Sequence, residues 1–144
     1  MEFTDIAMEL SREAWQASFQ HPFVLQLQEG TLEPSIFRYY LIQDAYYLKS
    51  FSEAYHLLAD KTSNEEMKRL LKQNAQSLVE GELFIRQQFF KELGISDQEM
   101  DEQPIAPTCY HYISHIYRQF AESNLGIAFA SLLPCPWLYH DLGK

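Results

Sequence analysis

The chain has 144 residues, of which 47% are hydrophobic and 22% charged, and its formal net charge is −9. This length suits a single domain, 1–144, with a real core. The acidic balance works against nonspecific nucleic-acid binding and against docking on anionic membranes, because both surfaces are themselves negative. No run reaches the roughly eighteen apolar residues that a membrane-spanning helix needs. The stretch Met1 to Ile6 carries acids where a secretory signal has a basic segment. Cys109 and Cys135 are too few and too far apart for a disulfide framework, so reduced thiols in a cytoplasmic protein are expected.

The elements read in chain order as helices. Thr4 is placed to cap a first helix running to about Phe19, with Ile6, Leu10, Ala14 and Ala17 at helical spacing. Pro22 suits the first turn of a short second helix that ends near Gly30. Pro34 opens a third, continuing to about Ala59. Asn64 caps a fourth, with Glu65 and Glu66 in the first turn where the helix dipole favours them, and this helix runs to Leu93 before Gly94. Residues 95–106 read as a polar connector, 108–123 as a fifth helix, and a sixth starts near Leu125. No segment alternates with period two for long enough to suggest a sheet. An all-α bundle follows, with the third and fourth helices as long antiparallel neighbours.

Three features stand out from this pattern. Along the third helix, Phe37, Tyr40, Leu41, Tyr47, Leu48, Phe51, Tyr55 and Leu58 form one apolar stripe, and Asp44 lies inside it. A carboxylate there is costly unless paired. Either a Tyr or Arg from another helix satisfies it, or it faces a polar cavity and accepts hydrogen bonds from a ligand amine. The second feature is Pro134-Cys135-Pro136 between helical flanks. The prolines predict a break at Cys135, with a half-helix starting just after it. The cysteine is then either a buried structural residue or a thiol given thiolate character by the helix dipole. Third, Tyr112 on the fifth helix and Tyr139, one turn beyond the cysteine, offer hydroxyls to the same region. Metal readings are weak. Glu53 and His56 match only half of a di-iron pattern, and His111 with His115 lack a third ligand.

Taken together, several runs resemble the thiaminase II (TenA) family. These are His21-Pro22-Phe23, Tyr40 to Tyr47, Glu80-Gly81-Glu82, Pro107-Thr108 with Tyr112, and Leu132 to Tyr139 with its Pro-Cys-Pro-Trp-x-Tyr core. The resemblance implies a haem-oxygenase-like helical bundle that binds no haem, usually a homotetramer. It implies hydrolysis of thiamin or its aminomethylpyrimidine breakdown products to hydroxymethylpyrimidine, with no metal or organic cofactor and neither nucleic acid nor membrane as partner. By position, Cys135 would be the nucleophile and Asp44 would hold the pyrimidine's amine or ring nitrogen. Tyr112 and Tyr139 would hydrogen-bond the ring or assist proton movement, and Tyr47 would stack on it. Family members continue past the position of Lys144 with further helices that supply a glutamate acid and another pocket tyrosine. The chain is therefore expected to be an incomplete copy, with a cavity open on one side. A non-catalytic pyrimidine-binding or regulatory protein is the alternative.

Overall fold

Pro34 opens the longest helix, and its fixed φ suits a first-turn position where no backbone donor is needed. A computed structural model describes residues 2–122 and 124–144. Met1 and Ser123, the latter the expected last residue of the fifth helix, lie outside the described residues. Among the described residues all regular structure is helical: α1 (Phe3–Phe19), α2 (Pro22–Glu29), α3 (Pro34–Lys61), α4 (Glu65–Ser77), a π-helical turn (Leu78–Glu82), α5 (Leu83–Leu93), α6 (Asp97–Glu102), α7 (Pro107–Glu122), α8 (Leu125–Leu132) and α9 (Pro134–Leu142). None of these helices is long and apolar enough to cross a membrane.

Helix α3 is the hub, packed against α4, α5, α7 and α8. Its buried side, which includes Phe51, Ala54 and Leu58, meets Leu71 of α4, Ile116 and Phe120 of α7, and Leu132 of α8. Leu58 is 0% exposed at the centre. Tyr47, Tyr112 and Cys135 pack against one edge of this core, so the same apolar contacts that hold the bundle also hold the candidate site.

The expected fourth helix is interrupted. Asn64 caps α4 as read, accepting from the Met67 amide at 3.0 Å. After Ser77 the backbone widens into the π-helical turn before α5 continues to Gly94, which takes φ 63°. A π-turn adds a residue to the helical repeat, so the side chains beyond it face a different direction from those of α4. On α5, Arg86 points inward and is only 8% exposed.

The connector is more ordered than the sequence suggested. Ser96 caps the short helix α6, accepting from the Glu99 amide at 3.1 Å. Helix α3 straps the segment down. The Tyr46 hydroxyl donates to the Met100 carbonyl at 2.7 Å. The Gln43 side chain donates to the Pro104 carbonyl at 3.0 Å and accepts from the Ala106 amide at 2.7 Å. Arg38 pairs with Glu99. These bonds tie the start of α7, which carries Tyr112, to the helix that carries Asp44.

Two details at the N-terminus differ from expectation. Glu2, not Thr4, occupies the cap position of α1, and the Asp5 carboxylate accepts from its amide at 3.0 Å. Leu10 is 84% exposed, and the face formed by Ala7, Ser11, Ala14 and Trp15 turns toward a cavity instead. The helix follows its small side chains because they allow close approach, and Trp15 then meets Trp137 edge-on at 5.5 Å.

Candidate active site

Asp44, Tyr47, Tyr112, Cys135 and Tyr139 all line one cavity of about 650 Å³ with mostly apolar walls. That is the size range of small-molecule sites. Helix α3 contributes Tyr40, Gln43, Asp44 and Tyr47 at helical steps, α7 contributes Cys109 and Tyr112, and α9 contributes Cys135 and Tyr139.

Asp44 combines both readings of its place in the stripe. It lines the cavity, and it also forms an ion pair with Arg86 of α5. Glu82, at the end of the π-turn, lies 3.8 Å from the same guanidinium nitrogen. Burial raises the Asp44 pKa, and the neighbouring Glu82 adds to this. Arg86 and the Tyr40 hydroxyl pull it back without cancelling the rise. Arg86 and Glu82 are the partners that sequence reasoning missed. Glu80-Gly81-Glu82 was visible only as a motif, and an arginine four residues after a glutamate reads as an ordinary exposed helix pair.

The prolines act differently from the expectation. The break falls at Leu133, and α9 begins at Pro134, so Cys135 lies inside the first helical turn. Both prolines occupy first-turn positions, whose amides have no intrahelical acceptor, and the helix therefore tolerates them. Leu133 itself stays in the right-handed helical region, at φ −65° and ψ −41°. Burial pushes the Cys135 pKa up, the Tyr47 hydroxyl lowers it, and Asp44 and Glu82 raise it further. In the free cavity Cys135 is a neutral thiol at neutral pH. Its alkylation by iodoacetamide is therefore expected to accelerate about tenfold per pH unit between about pH 7 and 9, as the thiolate fraction grows. A rate that plateaus near neutrality, followed by mass spectrometry of the Cys135 peptide, would contradict this.

The tyrosines form a connected set. The Tyr40 and Tyr139 hydroxyls lie 3.0 Å apart. Tyr139 is 51% exposed, and partial burial of its phenol raises its pKa ahead of the opposing effect of Tyr40. Tyr47 stacks with Phe51 at 5.2 Å and with Tyr112 at 5.6 Å, so its ring already has aromatic partners within the protein. The Tyr47 hydroxyl is buried beside Cys135 and Tyr112 but forms no hydrogen bond of normal geometry with them. Burial raises the pKa of Tyr40, Tyr47 and Tyr112 as well, so all four phenols remain protonated donors at neutral pH. The histidines weighed for metal, His56, His111 and His115, are exposed, and Glu53 accepts from the Tyr117 hydroxyl at 3.0 Å. Among the described residues no three His, Cys, Asp or Glu side chains are grouped to hold a metal ion.

The fold and the cavity together define an all-α protein in which a thiol, a buried carboxylate and several phenols face one space of small-molecule size. A profile of the TENA/THI-4/PQQC family matches residues 10–144, and the chain belongs to that family. It is 35% identical over 144 residues to the aminopyrimidine aminohydrolase of Bacillus subtilis (strain 168), covering 100% of this chain and 61% of that protein. It is 27% identical over 143 residues to the enzyme of the same name from Halalkalibacterium halodurans, covering 99% of this chain and 64% of that one. Among solved structures, a TenA family transcription regulator from Silicibacter sp. TM1040 superposes with a TM-score of 0.91 at 25% identity, covering 99% of this chain and 64% of that one. The chain thus spans about three-fifths of the length of the curated relatives it matches.

Proposed function

We propose that this chain carries the active site of an aminopyrimidine hydrolase of the thiaminase II class. The observation that carries the reading is the shared cavity: the Cys135 sulfur and the Asp44 carboxylate, from helices far apart in sequence, open onto one space walled by aromatic rings. The curated relatives are named for this activity.

In this reading Asp44 accepts a hydrogen bond from the exocyclic amine of the pyrimidine, and Tyr112 and Tyr139 donate to ring atoms. The Cys135 sulfur adds to an electron-poor ring carbon, and the electron pair displaced into the ring expels the group on the methylene carbon. The leaving group departs as ammonia from a protonated aminomethyl group, or as the neutral thiazole from thiamin, and water adds to the resulting exocyclic methylene with loss of a proton. The sulfur then leaves, which restores the aromatic ring and yields hydroxymethylpyrimidine. Since the thiol is neutral before substrate arrives, its proton must move as the C–S bond forms. A ring nitrogen that gains negative charge in that addition is a suitable acceptor. The product is one that thiamin salvage would consume.

The same reading includes a cytoplasmic setting, in keeping with two free thiols, and a homo-oligomer. Leu10 on α1 and Phe84 and Ile85 on α5 are exposed apolar side chains that a second copy would cover. A regulator that reads DNA has no support in a chain of net charge −9.

The test is a chromatographic assay for hydroxymethylpyrimidine released from aminomethylpyrimidine and from thiamin, run alongside protection of Cys135 from alkylation. Release together with protection is expected. Protection without release would favour the non-catalytic binding reading, and neither would remove the proposal.

A further inference from the structure

The Asp44–Arg86 pair is unusual in how it is built. Their side chains are 12% and 9% exposed, and the pair joins α3 to α5 across the back of the cavity. The Arg86 Nε and Nη1 donors are buried with no hydrogen-bond partner. Each unsatisfied donor costs on the order of 1–3 kcal/mol. A well-packed apolar pair would serve the core as well or better. Structural need alone therefore does not account for this guanidinium.

The charges around Asp44 suggest what does. It is faced by Tyr40 from its own helix, Glu82 and Arg86 from the π-turn and α5, Cys109 from α7, and Cys135 and Tyr139 from α9. Arg86 is the only cation in that set. The thiols and phenols, whose pKa values burial raises, are neutral at neutral pH, and Glu82 is a second carboxylate. An arginine cannot be deprotonated in a protein, so its charge is permanent.

Building on the proposed function, we propose that Arg86 is a positioning and specificity-determining residue that keeps Asp44 an acceptor-only carboxylate facing the cavity. An ionised carboxylate accepts hydrogen bonds and donates none, whereas its protonated form carries an O–H donor. With Arg86 in place, Asp44 pairs with a ligand's N–H group and gives nothing to a bare ring nitrogen. Arg86 thus selects aminated heterocycles without touching them.

The test is a ¹³C-carboxyl NMR titration of Asp44 in the full chain, assigned with Asp44→Asn. It compares the parent protein with Arg86→Gln and Arg86→Lys. Loss of the cation in Arg86→Gln is expected to move the Asp44 midpoint upward by about one pH unit or more. The acid limb of kcat/KM should move with it to higher pH, since the site needs the ionised form. Arg86→Lys keeps the charge but places it on a compact ammonium in place of the guanidinium whose Nη2 meets Asp44. It should hold the midpoint within about half a unit while weakening aminomethylpyrimidine binding about tenfold through lost orientation. A merely structural arginine would lower activity equally at all pH and leave the limb in place. An unmoved midpoint in Arg86→Gln overturns the proposal. If that variant does not fold by circular dichroism, undiminished binding in Arg86→Lys overturns it. The titration needs no ligand, so failure to bind any aminopyrimidine would count against the proposed function while the Asp44 midpoint still judges Arg86.

Discussion

Cys135→Ser is expected to lower kcat for hydroxymethylpyrimidine release by at least about 10³-fold while leaving the fold intact. Serine is close to isosteric with cysteine, and the position lies at the edge of the core, not within its fully buried centre. Chemical denaturation should therefore show a change within about 1 kcal/mol. The loss should fall on kcat, because an alcohol is a far weaker nucleophile at neutral pH and the addition step would dominate the rate. Substrate affinity should change little, since Asp44 and the tyrosines remain. Cys109→Ser serves as the control. Its sulfur also lines the cavity but lies 3.7 Å from the Gln43 carbonyl, a backbone acceptor it can donate to. If Cys135→Ser kept more than about a tenth of the parent rate, the covalent route would have to be given up.

The second large effect concerns stability and does not depend on any catalytic role. Asp44→Ala should destabilise the protein by about 3 kcal/mol, because it leaves the buried Arg86 guanidinium with only the more distant, half-exposed Glu82 at 3.8 Å. The two partners are not equivalent. A carboxyl that loses its partner can take up a proton and become neutral, whereas the guanidinium cannot shed one. Removing the aspartate is therefore the more damaging change. In the double variant Asp44→Ala with Arg86→Met no charge is stranded, and most of the loss should be recovered. Urea denaturation of the four proteins in this cycle should give a coupling of about 2 kcal/mol or more. A cost below about 1 kcal/mol for Asp44→Ala alone would mean that water reaches Arg86 freely and that the pair is not a buried one.

The helical class was legible because its signals are local. Pro34 at a first turn, Asn64 as a cap and the positive-φ glycines Gly30 and Gly94 at helix ends act within one turn of the chain. The α3 stripe was legible for the same reason, and it marked Asp44 as out of place. What failed locally also has a local cause. Thr4 and Glu2 compete for the same cap, and Asp5 decides in favour of Glu2. The connector 95–106 looked structureless because its order comes from α3 side chains more than forty residues away in sequence, Gln43 and Tyr46 among them.

The sequence by itself determined that the chain is helical, which residues break the helical pattern, and that an acid and a proline-flanked thiol needed explaining. Only the tertiary structure decided that the two share a cavity, that Arg86 is the cation behind the acid, and that burial pushes the thiol's pKa up. Those three properties depend on how much water each group loses and which charges end up beside it. Desolvation and Coulomb interactions act through space and fall off over a few ångströms, so they are set by which helices pack together. The π-turn shows the division clearly: its residues read as ordinary helix, and only the folded chain reveals the wider turn at Leu78–Glu82.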